Sequence, residues 1–338
     1  MPELALLVVV VAAAIGFGVV NGFNDAANAV AASIGSRAIS PRNGIILAAF
    51  CDFAGAATGT AVAITIGKGI IGSEAMSSLP AITAYSILIA AEATVIIWGT
   101  VATRWGLPVS ISHSLVTGLA TAGAVVIGWD AVMWGVLTRI GASVAIAPTL
   151  GFMGGFVLMI VLLWTFRWSA PSRMRVVFSR LQWLTTAFLA YSHGKNDGQM
   201  PIALITMAMV IHTGKVGLWD NIPWWVIIVS ALAISLGTAI GGWRVIKTVG
   251  IRITALQPIH GFATQASAAT VIEIASHLGI PVSTTHCATA ATMGAGATRR
   301  LSAVRWGVTR NIVLAWVLTF PVCGALGWII ASLLKLAL

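Results

Sequence analysis

Only nine carboxylates occur in 338 residues, and their placement is the first chemical clue. Glu3, Glu74, Asp130 and Asp220 fall in connecting segments or near an end, whereas Asp25, Asp52, Glu92, Asp197 and Glu273 fall within or beside apolar runs. In such surroundings an ionised carboxylate costs on the order of several kcal/mol unless it is paired or binds a cation. Two of the five are twins. Gly22-Phe23-Asn24-Asp25 returns as Gly194-Lys195-Asn196-Asp197, 172 residues further on. A helix interrupted at Gly-x-Asn-Asp exposes backbone carbonyls beside side-chain oxygens, which suits Na⁺ or a proton. Asn28 lies one turn after Asn24 and Asp25 and faces the same side. Asp52, Glu92 and Glu273 have no twin, and helix–helix hydrogen bonding or an ion pair with an arginine accounts for each.

A second pair of segments offers the opposite chemistry. Pro108-Val109-Ser110-Ile111-Ser112-His113 returns as Pro281-Val282-Ser283-Thr284-Thr285-His286 at an offset of 173. Proline followed by hydroxyl residues marks a helix start, where free N–H groups and the positive end of the dipole favour an anion. The hydroxyls add donors without the cost of burying arginine. Plain N-capping explains one such segment; its duplication beside the twinned acids points to a site. His113, His193 and His286 flank these motifs, and each reads as a hydrogen-bonded structural group or as a proton relay.

The elements that carry these residues follow from composition. Hydrophobic residues make up 58% of the chain and charged residues 8%, against roughly a quarter charged in soluble domains. Soluble domains are excluded because their surfaces need polar cover, and disorder is excluded by the apolar content. The chain reads as an integral membrane protein. Lys and Arg number 19 against nine acids, yet no basic cluster is interleaved with aromatics, so nucleic acid is not a partner. Trp98, Trp105, Trp224 and Trp225 read as interfacial belt residues. Cys51, Cys287 and Cys323 are too scattered for a disulfide framework or a zinc site. The first residues lack a basic n-region and read as a first span rather than a cleaved signal.

Apolar runs long enough to span occur at about 4–20, 45–66, 82–101, 131–166, 223–243, 254–272 and 303–337. A third recurrence, Ala131-Val132-Met133-Trp134-Gly135-Val136 as Ala303-Val304-Arg305-Trp306-Gly307-Val308, keeps the offset of 172. Loop charges swap between the halves. The Arg37/Arg42 loop corresponds to one holding only Lys215, and the Lys68 segment corresponds to one holding Arg244, Lys247 and Arg252. By the positive-inside rule the repeats have opposite orientation. The expected fold is an all-α polytopic membrane protein of two inverted-topology repeats with interrupted helices, about ten to twelve helical segments in all. Residues 1–166 form the first repeat, 167–180 a basic cytoplasmic connector and 181–338 the second, with the N-terminus outside. Residues 108–128 either cross or re-enter.

These residues resemble a known group. Gly22 to Asn28, continuing to Ser36-Arg37-Ala38, is similar to the first signature of the inorganic phosphate transporter (PiT) family. His193-Gly194-Lys195-Asn196-Asp197-Gly198-Gln199 is similar to its second-half copy, and Pro281 to His286 with Met293-Gly294-Ala295-Gly296 to its Ser-Thr-Thr-His segment. Three departures stand out: Ile111-Ser112 in place of Thr-Thr, Lys195 where relatives carry a small residue, and a short central connector. If Lys195 points into the site it occupies a cation's place and argues for H⁺; if it snorkels away it carries no such meaning.

The resemblance implies import of inorganic phosphate by symport with H⁺ or Na⁺ across the cell's inner (plasma) membrane, with no prosthetic cofactor. On that reading Ser110, Ser112, Ser283, Thr284 and Thr285 hold phosphate, with Asn28 and Gln199 bridging to it. Asn24, Asp25, Asn196 and Asp197 take the coupling cation. Arsenate or a metal–phosphate complex is an alternative cargo, and a homo-oligomer is compatible. A carboxylate accepts a hydrogen bond from P–OH but repels sulfate, so phosphate and arsenate are favoured over sulfate. The rivals are a sulfate permease on the same scaffold and a passive anion channel, which would need no titrating acids. Hydrolysis is disfavoured because no third residue is spaced to orient a Ser–His pair.

Overall fold

A computed structural model describes residues 2–72, 75, 76 and 78–337; Glu74, expected in a loop, lies outside them. The protein is an all-α polytopic membrane protein. The first half contains α1 (Pro2–Gly35), α2 (Pro41–Ala56), α3 (Ala61–Gly69), α4 (Ala81–Trp105), α5 (Ile111–Val126) and α6 (Trp134–Thr165). The second contains α7 (Pro171–Asp197), α8 (Gln199–Thr213), α9 (Trp224–Ile240), α10 (Trp243–Lys247), α11 (Pro258–His277), α12 (Thr284–Ala297) and α13 (Trp306–Ala337).

The two halves present similar elements in one order. Each opens with a long helical run, α1 or α7 with α8, and follows it with a bent pair: α2 and α3 meet at 65°, and α9 meets the segment Trp243–Arg252 at 60°. A helix, a short helix and a 32-residue helix with an internal proline, Pro148 or Pro321, complete each half. The short helices α5 and α12 have 16 and 14 residues. At 1.5 Å per residue they reach about 24 and 21 Å, less than the roughly 30 Å of hydrocarbon.

The halves interlock. The short helix α5 packs on α13 of the other half, and α12 packs on α6. Likewise α1 packs on the bent pair at α9, and α7 packs on α2. These crossings are close because small residues line them: a Cβ on Gly151 or Gly155 of α6 would run into the backbone of Cys287 or Ala291 of α12. The outward faces of α6 and α13 expose Leu150, Val157, Val161, Val317 and Leu318, the lipid-facing belt the composition requires.

One expectation needs correction. Trp98 is not a belt residue: it is buried, and its indole N–H donates to Thr319 Oγ1 at 3.2 Å. Trp105, Trp224 and Trp225 are exposed at helix ends. Within the stretch 167–180, Pro171 starts α7 and residues from there on are helical; proline suits a first helical position because its missing N–H has no intrahelical partner there.

Candidate functional site

Asn24 and Asp25 sit inside α1, which runs without interruption from Pro2 to Gly35. The break expected at this Gly-x-Asn-Asp is therefore absent. The reason is that neither side chain competes for its own backbone. Asn24 Nδ2 donates to Thr103 Oγ1 on α4 at 2.6 Å, and Asp25 Oδ1 accepts from Thr285 Oγ1 on α12 at 2.8 Å. Gly22 serves packing instead: a Cβ there would collide with the backbone of Ile234 and Gly237 on α9.

In the second half the interruption is one residue wide. Gly198 keeps helical dihedrals (φ −66°, ψ −17°), and its N–H still bonds Gly194 O. Pro201 then lacks the N–H that would bond Asp197 O. Asn21 Nδ2 approaches that carbonyl instead, at 3.4 Å. Asn196 is best satisfied with Oδ1 accepting from Ser276 Oγ at 2.9 Å and Nδ2 donating to Val282 O at 3.2 Å and to Asp197 Oδ1 at 3.1 Å.

The short helices bring the hydroxyl segments to these acids. Thr284 Oγ1 donates to Asp197 Oδ2 at 3.0 Å, while Thr285 Oγ1 serves Asp25. Asn28 Nδ2 donates to Thr285 Oγ1 at 2.9 Å and lies 3.4 Å from Thr284 Oγ1. Ser110 and Ser283 are N-caps, accepting from His113 N at 3.2 Å and His286 N at 3.1 Å. Ser112 Oγ donates to Val282 O at 3.3 Å, so the two helix starts meet. The structure thus joins Asp25, Asn28, Asn196, Asp197, Thr284 and Thr285 in one hydrogen-bonded group, with Ser112 attached through Val282.

His193 is the hub that sequence reasoning undervalued. Its Nδ1 lies 2.8 Å from Asp52 Oδ1, and its Nε2 lies 3.4 Å from Asp197 Oδ2 and 3.8 Å from Asp25 Oδ2. Asp52 also accepts from Thr238 Oγ1 at 2.5 Å. Asp52 was thus expected to bond across helices or to pair with an arginine, and it does the former. All four groups are buried, and none of the three acids pairs with lysine or arginine among the described residues. Three carboxylates with one imidazole leave the cluster short of positive charge. One ligand atom from each of Asp25, His193 and Asp197 lies within 4.8 Å of the others, so the group can hold a cation or pass a proton. The amide oxygens of Asn21, Asn24 and Asn28, on successive turns of α1, are buried without a partner among the described residues. They are further hard oxygen donors along one side of α1.

Other expected site residues are placed elsewhere. Gln199 Oε1 accepts from Val62 N and Ala63 N at 2.7 and 3.1 Å, and its Nε2 donates to Lys195 O at 2.6 Å, so its amide ties α8 to the start of α3. Lys195 ion-pairs with Glu273 on α11, and its Nζ lies 3.4 Å from His277 Nδ1. It therefore points away from the acid cluster. The rings of His113 and His286 meet edge to face at 5.1 Å, His286 stacks on Trp316 at 4.0 Å, and neither ring has a hydrogen-bond partner among the described residues.

Comparison with known proteins identifies the family. Residues 21–175 and 166–327 each match the phosphate transporter family, one match to each half. A probable low-affinity inorganic phosphate transporter of Rhizobium meliloti (strain 1021) is 38% identical over 94% of this chain and 92% of its own. One of the same description from Bacillus subtilis (strain 168) is 34% identical over 98% of both chains. A solved structure described as the sodium-dependent phosphate transporter superimposes with a TM-score of 0.90 at 30% identity, covering 99% of this chain and 100% of that one. The chain belongs to the phosphate transporter family.

Proposed function

We propose that this protein imports inorganic phosphate across the cell's inner membrane by symport with a cation, H⁺ or Na⁺. The observation that carries the reading is the shared hydrogen bonding of the twin motifs: Thr285 donates to Asp25 and Thr284 to Asp197. Each hydroxyl has one proton to donate. While the acids are unbalanced, they claim both protons. A cation bound among Asp25, His193 and Asp197 relieves that demand and frees the hydroxyls for a phosphate oxygen. Anion and cation therefore favour each other's binding. Coupling of this kind is required because a negative-inside potential opposes each anionic charge by roughly 2.3 kcal/mol per 100 mV.

Phosphate in this account lies against the starts of α5 and α12, held by Thr284, Thr285 and Ser112 with Asn28, while the N-caps Ser110 and Ser283 fix both helix ends. The two halves are inverted repeats, as the loop charges argue, and the symmetric interlocking of α5 with α13 and α12 with α6 supports that relation. Membrane vesicles with separately imposed Na⁺ and pH gradients test the function. One gradient should drive phosphate above its equilibrium level; uptake that continues unchanged when both are collapsed would establish a passive channel instead.

A further inference from the structure

At the C-terminal end of α1, a cavity of about 530 Å³ is lined by Arg37, Arg175 and Arg305 together with Ser36, Ser179 and Gln257. None of the three guanidinium groups is ion-paired among the described residues. Among the described residues Arg305 Nη1 reaches the carbonyls of Ile251 and Arg252, each at 3.4 Å. Arginines scattered over a membrane surface need no ligand; three converging unpaired on one concavity are a different arrangement. Planar guanidinium forks bind tetrahedral oxyanions two oxygens at a time.

The backbone also marks the place. Arg37 closes α1 in a Schellman motif, with Ala38 N bonded to Ser33 O and Arg37 N to Ile34 O, each at 3.0 Å. Its φ is 61°, in the left-handed region where glycine is usual at this position. A side chain held there at a local conformational cost calls for a role outside packing.

A buried hydrogen-bonded seam runs from the cavity towards the central site. Ser36 Oγ donates to Gln182 Oε1 at 2.9 Å, and Gln182 Nε2 donates to Pro258 O. Thr185 Oγ1 approaches Gln182 O at 3.4 Å and donates to Gln265 Oε1 at 3.0 Å, and Gln265 Nε2 donates to Ala29 O at 2.9 Å. Ala29 adjoins Asn28 of the hydroxyl–acid group. This buried polar seam between α1, α7 and α11 covers the nine residues from Asn28 to Ser36, about 12 Å along the helix.

We propose that the Arg37–Arg175–Arg305 cavity is a second phosphate-group site, the vestibule into which the seam from the central site opens. The vestibule role rests on the phosphate-import reading above; the binding site does not. Its ligand is a phosphate group, supplied by free inorganic phosphate or by an anionic lipid headgroup.

The test is equilibrium binding of inorganic phosphate to the full chain in nanodiscs of zwitterionic lipid. Two classes of site are expected. Thr284→Val with Thr285→Val should remove one class, and Arg175→Gln with Arg305→Gln should weaken the other at least tenfold, with partial recovery in Arg175→Lys. Unchanged binding in the arginine variants overturns the proposal, as does complete loss of binding in the threonine variants. If the arginine variants lose all binding and the threonine variants bind as the unsubstituted protein does, the cavity stands and the central reading falls. In nanodiscs containing anionic phospholipid, loss of the arginine-dependent class identifies a lipid headgroup as occupant, and its persistence identifies free phosphate.

Discussion

Thr285 on α12 donates its hydroxyl to Asp25 on α1 at 2.8 Å, across 260 residues of sequence. Its neighbour Thr284 makes the corresponding bond to Asp197, so one short helix start touches both members of the twinned acid motif.

Removing one of these hydroxyls while keeping shape tests whether they bind substrate. Hydrogen bonds to charged groups contribute about 1.5–3 kcal/mol, which corresponds to roughly 10–150-fold in affinity. Thr285→Val should raise the KM for phosphate by that order, and Thr285→Ser should restore most of it. Initial uptake rates across phosphate concentrations provide the measurement, and an unchanged KM in Thr285→Val would count against the assignment.

Selectivity follows from the acids. In the proposed site Asp25 and Asp197 are the acceptors for a P–OH group, which phosphate and arsenate retain near neutral pH and sulfate lacks. Arsenate should compete with phosphate uptake, and sulfate in tenfold excess should not. Strong inhibition by sulfate would favour a general oxyanion permease.

Lys195 offers a separate check. Its partner is Glu273, and both side chains are partly exposed, at 11% and 25%. Lys195→Met should leave unchanged which gradient, Na⁺ or pH, drives uptake. A switch of driving ion would show that its charge reaches the acid cluster.

Gly22 tests the packing that places Asp25. A methyl group there meets the backbone of Ile234, which cannot rotate away. Gly22→Ala should destabilise the protein by about 1–3 kcal/mol, the usual cost of overpacking. A lowered thermal midpoint in detergent reports it; an unchanged midpoint would mean that α1 and α9 separate freely.

Much of this was legible from residue types and spacing. Scarce charge made Asp25 and Asp197 conspicuous, and a repeat at a nearly constant offset set them beside the recurring hydroxyl segments. The course of α1 was not legible, because Asn24 and Asp25 find partners on α4 and α12, and sequence adjacency says nothing of partners supplied by other helices. Asp52 was hidden for a related reason. It has no twin, and its role depends on His193 and Thr238, which lie 141 and 186 residues away. Gln199 was read through the family resemblance as a bridge to phosphate, whereas the side chain turns to the free N–H groups at the start of α3.

The central claim is that the twinned acids couple cation and phosphate. Asp25→Asn keeps the shape and still accepts a hydrogen bond from Thr285, but it removes one negative charge. The most direct measurement is phosphate accumulation in vesicles under an imposed cation gradient, at matched protein levels, for Asp25→Asn and Asp197→Asn. Neither variant should concentrate phosphate above equilibrium under a gradient that drives the unsubstituted protein. Accumulation by either variant to the level of the unsubstituted protein would contradict the claim.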